Sequence, residues 1–342
     1  MSRGAQTKDE PIDVGPRSSL PSDGRAADTG PLEPAQKKRR VKKFRATHKR
    51  DDSAPSDVRT ASPSPAAQSL VGLNQEQKDE IIRQKYNEQT HHARKSRRTE
   101  SKIYKLRSFN NCIKYILIYK YARPGGNVLD LGCGKGGDMA KWEAVQTRSY
   151  VGIDLSDLSI KEAFDTVSMQ FCMHYAFDSE LTVRNMLQNV ARSLKVGGMF
   201  IGTIPSSDFI RWKVNKLGPG ERKWGNSIYS VEFPSEPPKD AKFANPFGNV
   251  YNYYLVDAVD NVPEYVVPFE TFRALCESYN LELRYKKNFF ELFNKEIPNY
   301  FRQLPTPVVE SLRREDGSYG VSGEDRDACS FYLAFAFEKV GA

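Results

Sequence analysis

The chain has 342 residues, 39% hydrophobic and 27% charged, with a formal net charge of +8. That length holds one large or two ordinary domains, and so polar a composition excludes a core running through the whole of it. No apolar run approaches a membrane span, no signal peptide opens the chain, and five scattered cysteines with no C-x-x-C pair, beside four histidines without metal spacing, point to reduced thiols, an intracellular protein and no metal.

Residues 1–75 are rich in Pro, Ser, Ala, Asp and Gly, without sustained periodicity, and are expected to form a disordered basic tail of net charge +5. Its Lys37-Lys38-Arg39-Arg40-Val41-Lys42-Lys43 cluster reads as a nuclear import signal, a loose RNA contact or a solubilising charge run. Residues 76–123, of net charge +8, form a basic helical lead-in. Asn74 is the expected N-cap of a helix over 75–86, and a polar stretch follows at 91–98. The next helix runs from Ile103 to Tyr121, with Ile103, Leu106, Phe109, Ile113, Ile116 and Leu117 along one face. Asn110, Asn111 and Lys114 sit in its middle, where two asparagines are costly to a helix. The remaining residues, 124–342, carry a net charge of −5, so the basic excess lies ahead of them and a polyanion is the expected partner.

Pro124-Gly125-Gly126 ends the helix and leads into Val128-Leu129-Asp130-Leu131-Gly132-Cys133-Gly134-Lys135-Gly136-Gly137-Asp138. The apolar run reads as a buried parallel strand, the glycines as a tight turn that lets a ligand approach the backbone, and Met139 to Glu143 as the start of a helix. Such a turn makes a nucleotide-type cofactor site, with backbone N–H groups facing the ligand. The spacing G-x-G-x-G-G matches the dinucleotide fingerprint only in part. Tyr150 to Ile153 is the next strand, and Asp154 closes it where a ribose-binding carboxylate is expected. Asp130 adds negative charge beside the turn. Two carboxylates suit a cofactor carrying an ammonium and a sulfonium better than one carrying a pyrophosphate, which points to S-adenosyl-L-methionine.

A helix is expected from Ser156 through Ala163, a strand from Phe164 to Gln170, a helix from Asp178 or Ser179 to about Leu194, a turn at Val196-Gly197-Gly198 and a strand from Met199 to Ile204. This alternation is that of a Rossmann-like, doubly wound α/β sheet, with residues 124–204 as the cofactor-binding core. Pro205 to Ala244 reads as mostly irregular, Tyr251 to Val256 as a strand, Val262 to Tyr265 as a turn, and Pro268 to Asn280 as a helix. A strand over 281–286, a helix over 289–296, a polar loop over 313–327 and a closing strand over 331–338 complete the chain.

The blocks YNEQTHHAR (86–94), KIYKLRSFNNCIKYILI (102–118), VLDLGCGKGGDMAKW (128–142), SMQFCMHYAF (168–177), DAVDNVPEYVVPF (257–269) and FYLAFAFEK (331–339) resemble, in this order, the eukaryotic mRNA cap guanine-N7 methyltransferases of fungal type. The resemblance implies a methyltransferase sheet with a family-specific insertion within 205–342, and methyl transfer to N7 of the guanosine cap of nascent mRNA in the nucleus. N7 has a lone pair and no proton to lose, so the implied reaction is a direct in-line attack without a general base. The resemblance assigns Lys114, Gly132, Asp154, Gln170 and Tyr175 to the cofactor, joined by Asp130 and Gly134 from the turn itself. It assigns Asn110, Asn111, Lys135, Lys141, His174, Glu264 and Tyr332 to the cap. The implied partners are the 5′-capped GpppN end of RNA and, through the tail, other capping or transcription machinery, with no membrane.

One departure stands out after Ala163. Only residues 155–163 separate Asp154 from Phe164, whereas a strand–helix–strand unit takes upwards of ~30 residues. A connector must cover roughly 20 Å; nine helical residues reach ~14 Å, and nine extended ones ~30 Å. A partly extended link can bridge the gap, at the expense of an edge strand and its acidic adenine contact. Exposing the second strand is an aggregation liability, and the loss favours, as an alternative, a capped-RNA binder of reduced or no activity.

Overall fold

The structure, a computed structural model, describes residues 74, 76–77, 80–84, 98–154 and 163–341. The Lys37–Lys43 cluster, most of the polar stretch at 91–98 and nearly all of the helix expected from Ser156 lie outside the described residues. Asn74 caps as expected. Its side-chain oxygen accepts from the Gln77 amide at 2.9 Å while Gln77 Oε1 accepts from the Asn74 amide at 3.0 Å, a reciprocal capping arrangement.

Helix α1 (Tyr104–Tyr121) leads to strand β1 (Asn127–Leu131), helix α2 (Met139–Ala144) and strand β2 (Ser149–Ile153). Next come β3 (Phe164–Gln170), a 3-10 turn at Met173–Asp178, α3 (Glu180–Ser193) and β4 (Leu194–Pro205). They are followed by α4 (Ser207–Val214), β5 (Lys223–Gly225), β6 (Tyr229–Glu232), β7 (Val250–Leu255), β8 (Val259–Tyr265) and α5 (Phe269–Glu277). The chain ends with β9 (Leu281–Asn288), α6 (Phe289–Tyr300), α7 (Thr306–Ser311), α8 (Gly323–Ser330) and β10 (Tyr332–Lys339).

Six strands form the main sheet in the order β2-β1-β3-β4-β10-β9. The first four are parallel, and β10 runs antiparallel between β4 and β9. The chain leaves β1 to one side to make β2 and returns on the other side as β3. At such a switch point the connections diverge and a crevice opens at the carboxyl ends of the strands. Apolar side chains cover both faces of the sheet: α1, α6 and α8 pack on one through residues such as Phe109, Phe289 and Ala328, and α3 and α5 on the other through Val183, Leu187 and Phe272. Burial on both faces explains the apolar run of β1 and the burial of Thr166, Ser168 and Gln170 in β3 along with its apolar residues.

Several expectations are corrected. The stretch at Val196-Gly197-Gly198 is part of β4 rather than a turn before it; Gly197 takes φ +74°, and the β3–β4 register slips between Phe164 and Thr166, as a bulge requires. The region 205–244, irregular over about half its length, also holds regular elements that were not expected. Ser206 caps α4 by accepting from the Phe209 amide, and β5 and β6 pair into a second antiparallel sheet, β5-β6-β7-β8. Val262 to Tyr265 is the end of strand β8, not a turn; Pro263 is tolerated because β8 is an edge strand. Within 313–327 the chain forms a bridge between Arg313 and Tyr319 and begins α8. Helix α7 was not foreseen. As expected, β2 is an edge of the main sheet, paired among the described residues with β1 alone.

Candidate active site

The glycine turn follows β1 at the switch point. Gly132 has φ +71°, and a Cβ there would lie 2.7 Å from Cys172 Sγ, so both backbone shape and the neighbouring β3 loop require glycine. The Gly132 and Cys133 amides both donate to the Ile153 carbonyl, at 2.7 and 3.2 Å. These two amides are taken up within the fold rather than facing a ligand: they stitch the turn to the end of β2 and thereby place the exposed Asp154 beside it. Gly134 and Gly137 border open space, with nothing within 4 Å of a Cβ built on either.

Asp130 is 2% exposed, and Tyr150 donates to its Oδ2 at 2.9 Å. Burial pushes its carboxyl up to about 6, against the lowering effect of the Tyr150 and Ser168 hydrogen bonds and of Lys114. Asp138, by contrast, is clamped by two cations. Lys114 Nζ and Lys141 Nζ each stand 2.7 Å from its Oδ1. Burial raises this carboxyl, but the two ammonium groups outweigh it and hold it below the ordinary value. Lys141 is only 4% exposed and turned under the loop, so it is neither a solvated helix lysine nor an outward-reaching one. Lys135 is exposed on the turn.

A second group of residues gathers at the end of β3. Gln170 is buried, linked to Ser168 and to Thr203 of β4 at 3.2 Å each. Phe171 follows in a left-handed conformation, φ +60°, which is unusual for a bulky residue and marks a site whose surroundings hold the strain. Its ring meets the Tyr332 ring edge-on at 5.0 Å and lies 5.8 Å below Lys114 Nζ. His174 packs against Tyr175, ring centroids 4.5 Å apart. It is 2% exposed, and neither ring nitrogen has a hydrogen-bond partner. Its Nε2 lies 3.5 Å from Glu264 Oε1. Glu264 is 4% exposed and accepts from Tyr251 at 2.8 Å, its directly opposite neighbour in the β7–β8 pair. Tyr332 is buried, its hydroxyl 2.9 Å from that of Tyr253.

The structure thus brings Asp130, Gly132, Gly134, Lys135 and Asp154 together on the turn, Lys114 and Lys141 around Asp138, and Gln170, His174, Tyr175, Glu264 and Tyr332 at the adjoining strand end. Phe171 joins these groups. Asn110 and Asn111 are half-buried, one turn before Lys114 on α1; Asn110 Oδ1 lies 3.9 Å from Cys329 Sγ of α8. The sequence reading missed Asp138, Tyr150, Phe171 and Tyr251. Tyr251 was accessible in principle: once β7 and β8 are read as a hairpin, it falls opposite Glu264.

The sequence model of the mRNA (guanine-N(7))-methyltransferase domain matches residues 71–166 and 162–340. The chain belongs to this family. It is 49% identical over 331 residues to the mRNA cap guanine-N(7) methyltransferase of Lodderomyces elongisporus, covering 76% of this chain and 58% of that protein. To the Saccharomyces cerevisiae protein of the same name it is 45% identical over 306 residues, covering 77% and 70%. To that of Schizosaccharomyces pombe it is 42% identical over 303 residues, covering 77% and 82%. The chain therefore spans less than two thirds of the Lodderomyces relative's length. The family match comes in two parts that overlap at residues 162–166. Moreover, 77% of 342 residues is about 263, so in the 303-position alignment about 40 positions are filled by the Schizosaccharomyces protein alone.

Proposed function

We propose that this chain transfers a methyl group from S-adenosyl-L-methionine to N7 of the guanosine that caps the 5′ end of an mRNA. The observation that carries the reading is the Glu264–His174 pair: a buried carboxylate fixed by Tyr251, beside a buried imidazole whose two nitrogens lack hydrogen-bond partners. Buried polar groups left in this condition call for a ligand. Guanine answers both needs, since its N1–H and N2–H groups can donate to Glu264 and its ring offers acceptors and a face to His174 and Tyr332. Lys135 is exposed for the triphosphate, with Asn110 and Asn111 on the neighbouring helix; Lys141 acts through Asp138.

The residues present also fit the methyl donor. Asp130 is a buried carboxyl whose nearest cations are already engaged by Asp138, and a cationic ligand would relieve the cost of its charge. Asp154 is exposed for ribose hydroxyls, and the open backbone at Gly134 admits a ligand. Lys114, Gly132, Gln170 and Tyr175 complete this side. When bound, the donor supplies a methyl group on a sulfonium, electrophilic enough for the N7 lone pair, and no general base is needed because N7 carries no proton. The work of the chain is to align and to screen from water: Glu264, His174 and Tyr332 orient the purine, Asp130 and Asp154 hold the positive charge, and Phe171 closes the space between them. The test is incubation with tritiated donor and GpppG-capped RNA. Label at N7 is expected, and label absent from N7 sinks the catalytic reading.

A second reading, a capped-RNA binder of impaired activity, is favoured by the two-part family match, the roughly 40 positions filled by a relative alone, and the pairing of β2, among the described residues, with β1 alone. Under it, capped RNA binds and the donor does not; tight donor binding by calorimetry rejects it. Capping of nascent mRNA places the protein in the nucleus, with the Lys37–Lys43 cluster as import signal and the tail as the contact with other capping or transcription machinery.

A further inference from the structure

The carboxyl edge of the main sheet does not end at the Glu264–His174 pair. Two strands further along, a cavity of about 460 Å³ opens where β4, β10 and β9 come to the same edge; Ser206, Leu333, Lys286 and Lys287 line it, with Phe209 of α4 and Arg326 of α8. It lies near the proposed cap residues along the chain: Leu333 follows Tyr332 in β10, and Phe290, also in the lining, stacks on Phe109 next to Asn110. Outward from the cavity, Phe209 packs 5.5 Å from Trp212, whose indole is 47% exposed.

Two lysines stand by this ring, and an arginine lies over a second ring in the cavity lining. Lys216 Nζ stands 3.9 Å over Trp212, Lys213 Nζ 5.2 Å from it, and Arg326 lies over Phe290 at 5.1 Å. Carboxylates also face the patch: Asp208 binds Lys286 at 3.1 Å and Arg211 at 3.4 Å, and Asp327 binds Lys213 at 2.9 Å. Lys216 and Arg326 rest on aromatic faces instead. Residues 124–342 are net acidic, so a cationic strip around an exposed indole is a local departure from the surrounding charge.

An exposed aromatic ring set among cations on a groove is the arrangement that binds single-stranded nucleic acid, with bases on the ring and phosphates on the cations. The geometry points to the Trp212 face and the adjoining cavity as the binding surface for the transcript downstream of its cap. Trp212 stacks one of its bases, and Lys216 and Arg326 meet its phosphates. The inference rests on the capped-RNA reading for the identity of the strand. It goes beyond that reading in making the enzyme hold RNA, and not only the terminal guanosine.

The test uses the full chain and fluorescence anisotropy at about 150 mM salt, with three probes: GpppG, a GpppG-capped RNA of twelve nucleotides, and the same RNA uncapped. Capped RNA should bind more tightly than GpppG. Trp212→Ala should weaken both RNAs about tenfold, leave GpppG unchanged and be rescued by Trp212→Phe. Lys216→Ala with Arg326→Ala should flatten the salt dependence of RNA binding. RNA affinity unchanged in both variants overturns the proposal and leaves the face to a protein. If GpppG fails to bind while uncapped RNA still binds and loses affinity in Trp212→Ala, the surface stands and the cap reading falls.

Discussion

At the residue scale the proposed chemistry turns on two buried carboxylates, Asp130 and Glu264, each accepting a hydrogen bond from a tyrosine. Asp130 is raised from 3.8 to about 6, chiefly by burial. In the ligand-free protein the protonated form is therefore favoured on folding. Its contribution to stability is full below the ordinary value and is lost as the pH climbs through about 6. A bound cation reverses the preference, so donor affinity should fall by up to tenfold per pH unit below about pH 6. Calorimetry across pH 5–8, ~3 units, should show that slope in the wild type and lose it in Asp130→Asn. For Glu264 the expected change is in the cap. Glu264→Gln keeps the shape but removes the charge that accepts from guanine, and a charge-assisted hydrogen bond contributes about 1.5–3 kcal/mol. The Kd for GpppG should rise at least tenfold while donor affinity holds, and equal affinity in both proteins would remove Glu264 from the cap site.

Short elements place these residues. Helix α2 has only six residues, and its N-cap, Asp138, makes no capping bond; the carboxylate ties α2 to α1 through Lys141 and Lys114 instead. Removing one member of a buried charge cluster leaves the others uncompensated, at about 3 kcal/mol or more. Asp138→Asn should therefore lower the melting temperature by several degrees and weaken donor binding as the turn loosens. A wild-type melting curve for the variant would show that the clamp does not hold α2. The hairpin β7–β8 does the same for Glu264. Pairing of Tyr251 with Glu264 lifts the carboxylate out of its own strand's edge and points it across to the 3-10 turn that carries His174.

At the scale of the whole molecule, β2 pairs among the described residues with β1 alone. A sheet edge with no outer neighbour invites pairing with other chains. Inserting the corresponding strand–helix stretch of a fungal relative after Ala163 should raise the melting temperature, suppress light scattering on heating and strengthen donor binding, since the inserted strand would carry an acidic group toward the adenine. Unchanged scattering and donor affinity would mean that the short connector already serves the fold. At the same scale, replacing the basic residues of Lys37–Lys43 with alanine should abolish nuclear accumulation of a fluorescent fusion.

Local sequence determined what depends on near neighbours along the chain. The apolar run of β1, the glycine turn that follows it, the strand β3, the start of α3 to within one residue and the one-sided stripe of α1 were all legible, and with them the parallel part of the sheet. Tertiary structure decided what depends on distant segments meeting. β5, β6 and β8 are too short or too polar to read as strands and exist because they pair. Val262 to Tyr265 looks like a turn around its proline until β7 offers a partner. Asp138 acquires its role from a lysine on another helix, and Phe171 is held left-handed by the β4 and β10 residues around it. A strand edge, a buried ion cluster and a strained aromatic each draw their energy from across the fold, which no window of neighbouring residues contains.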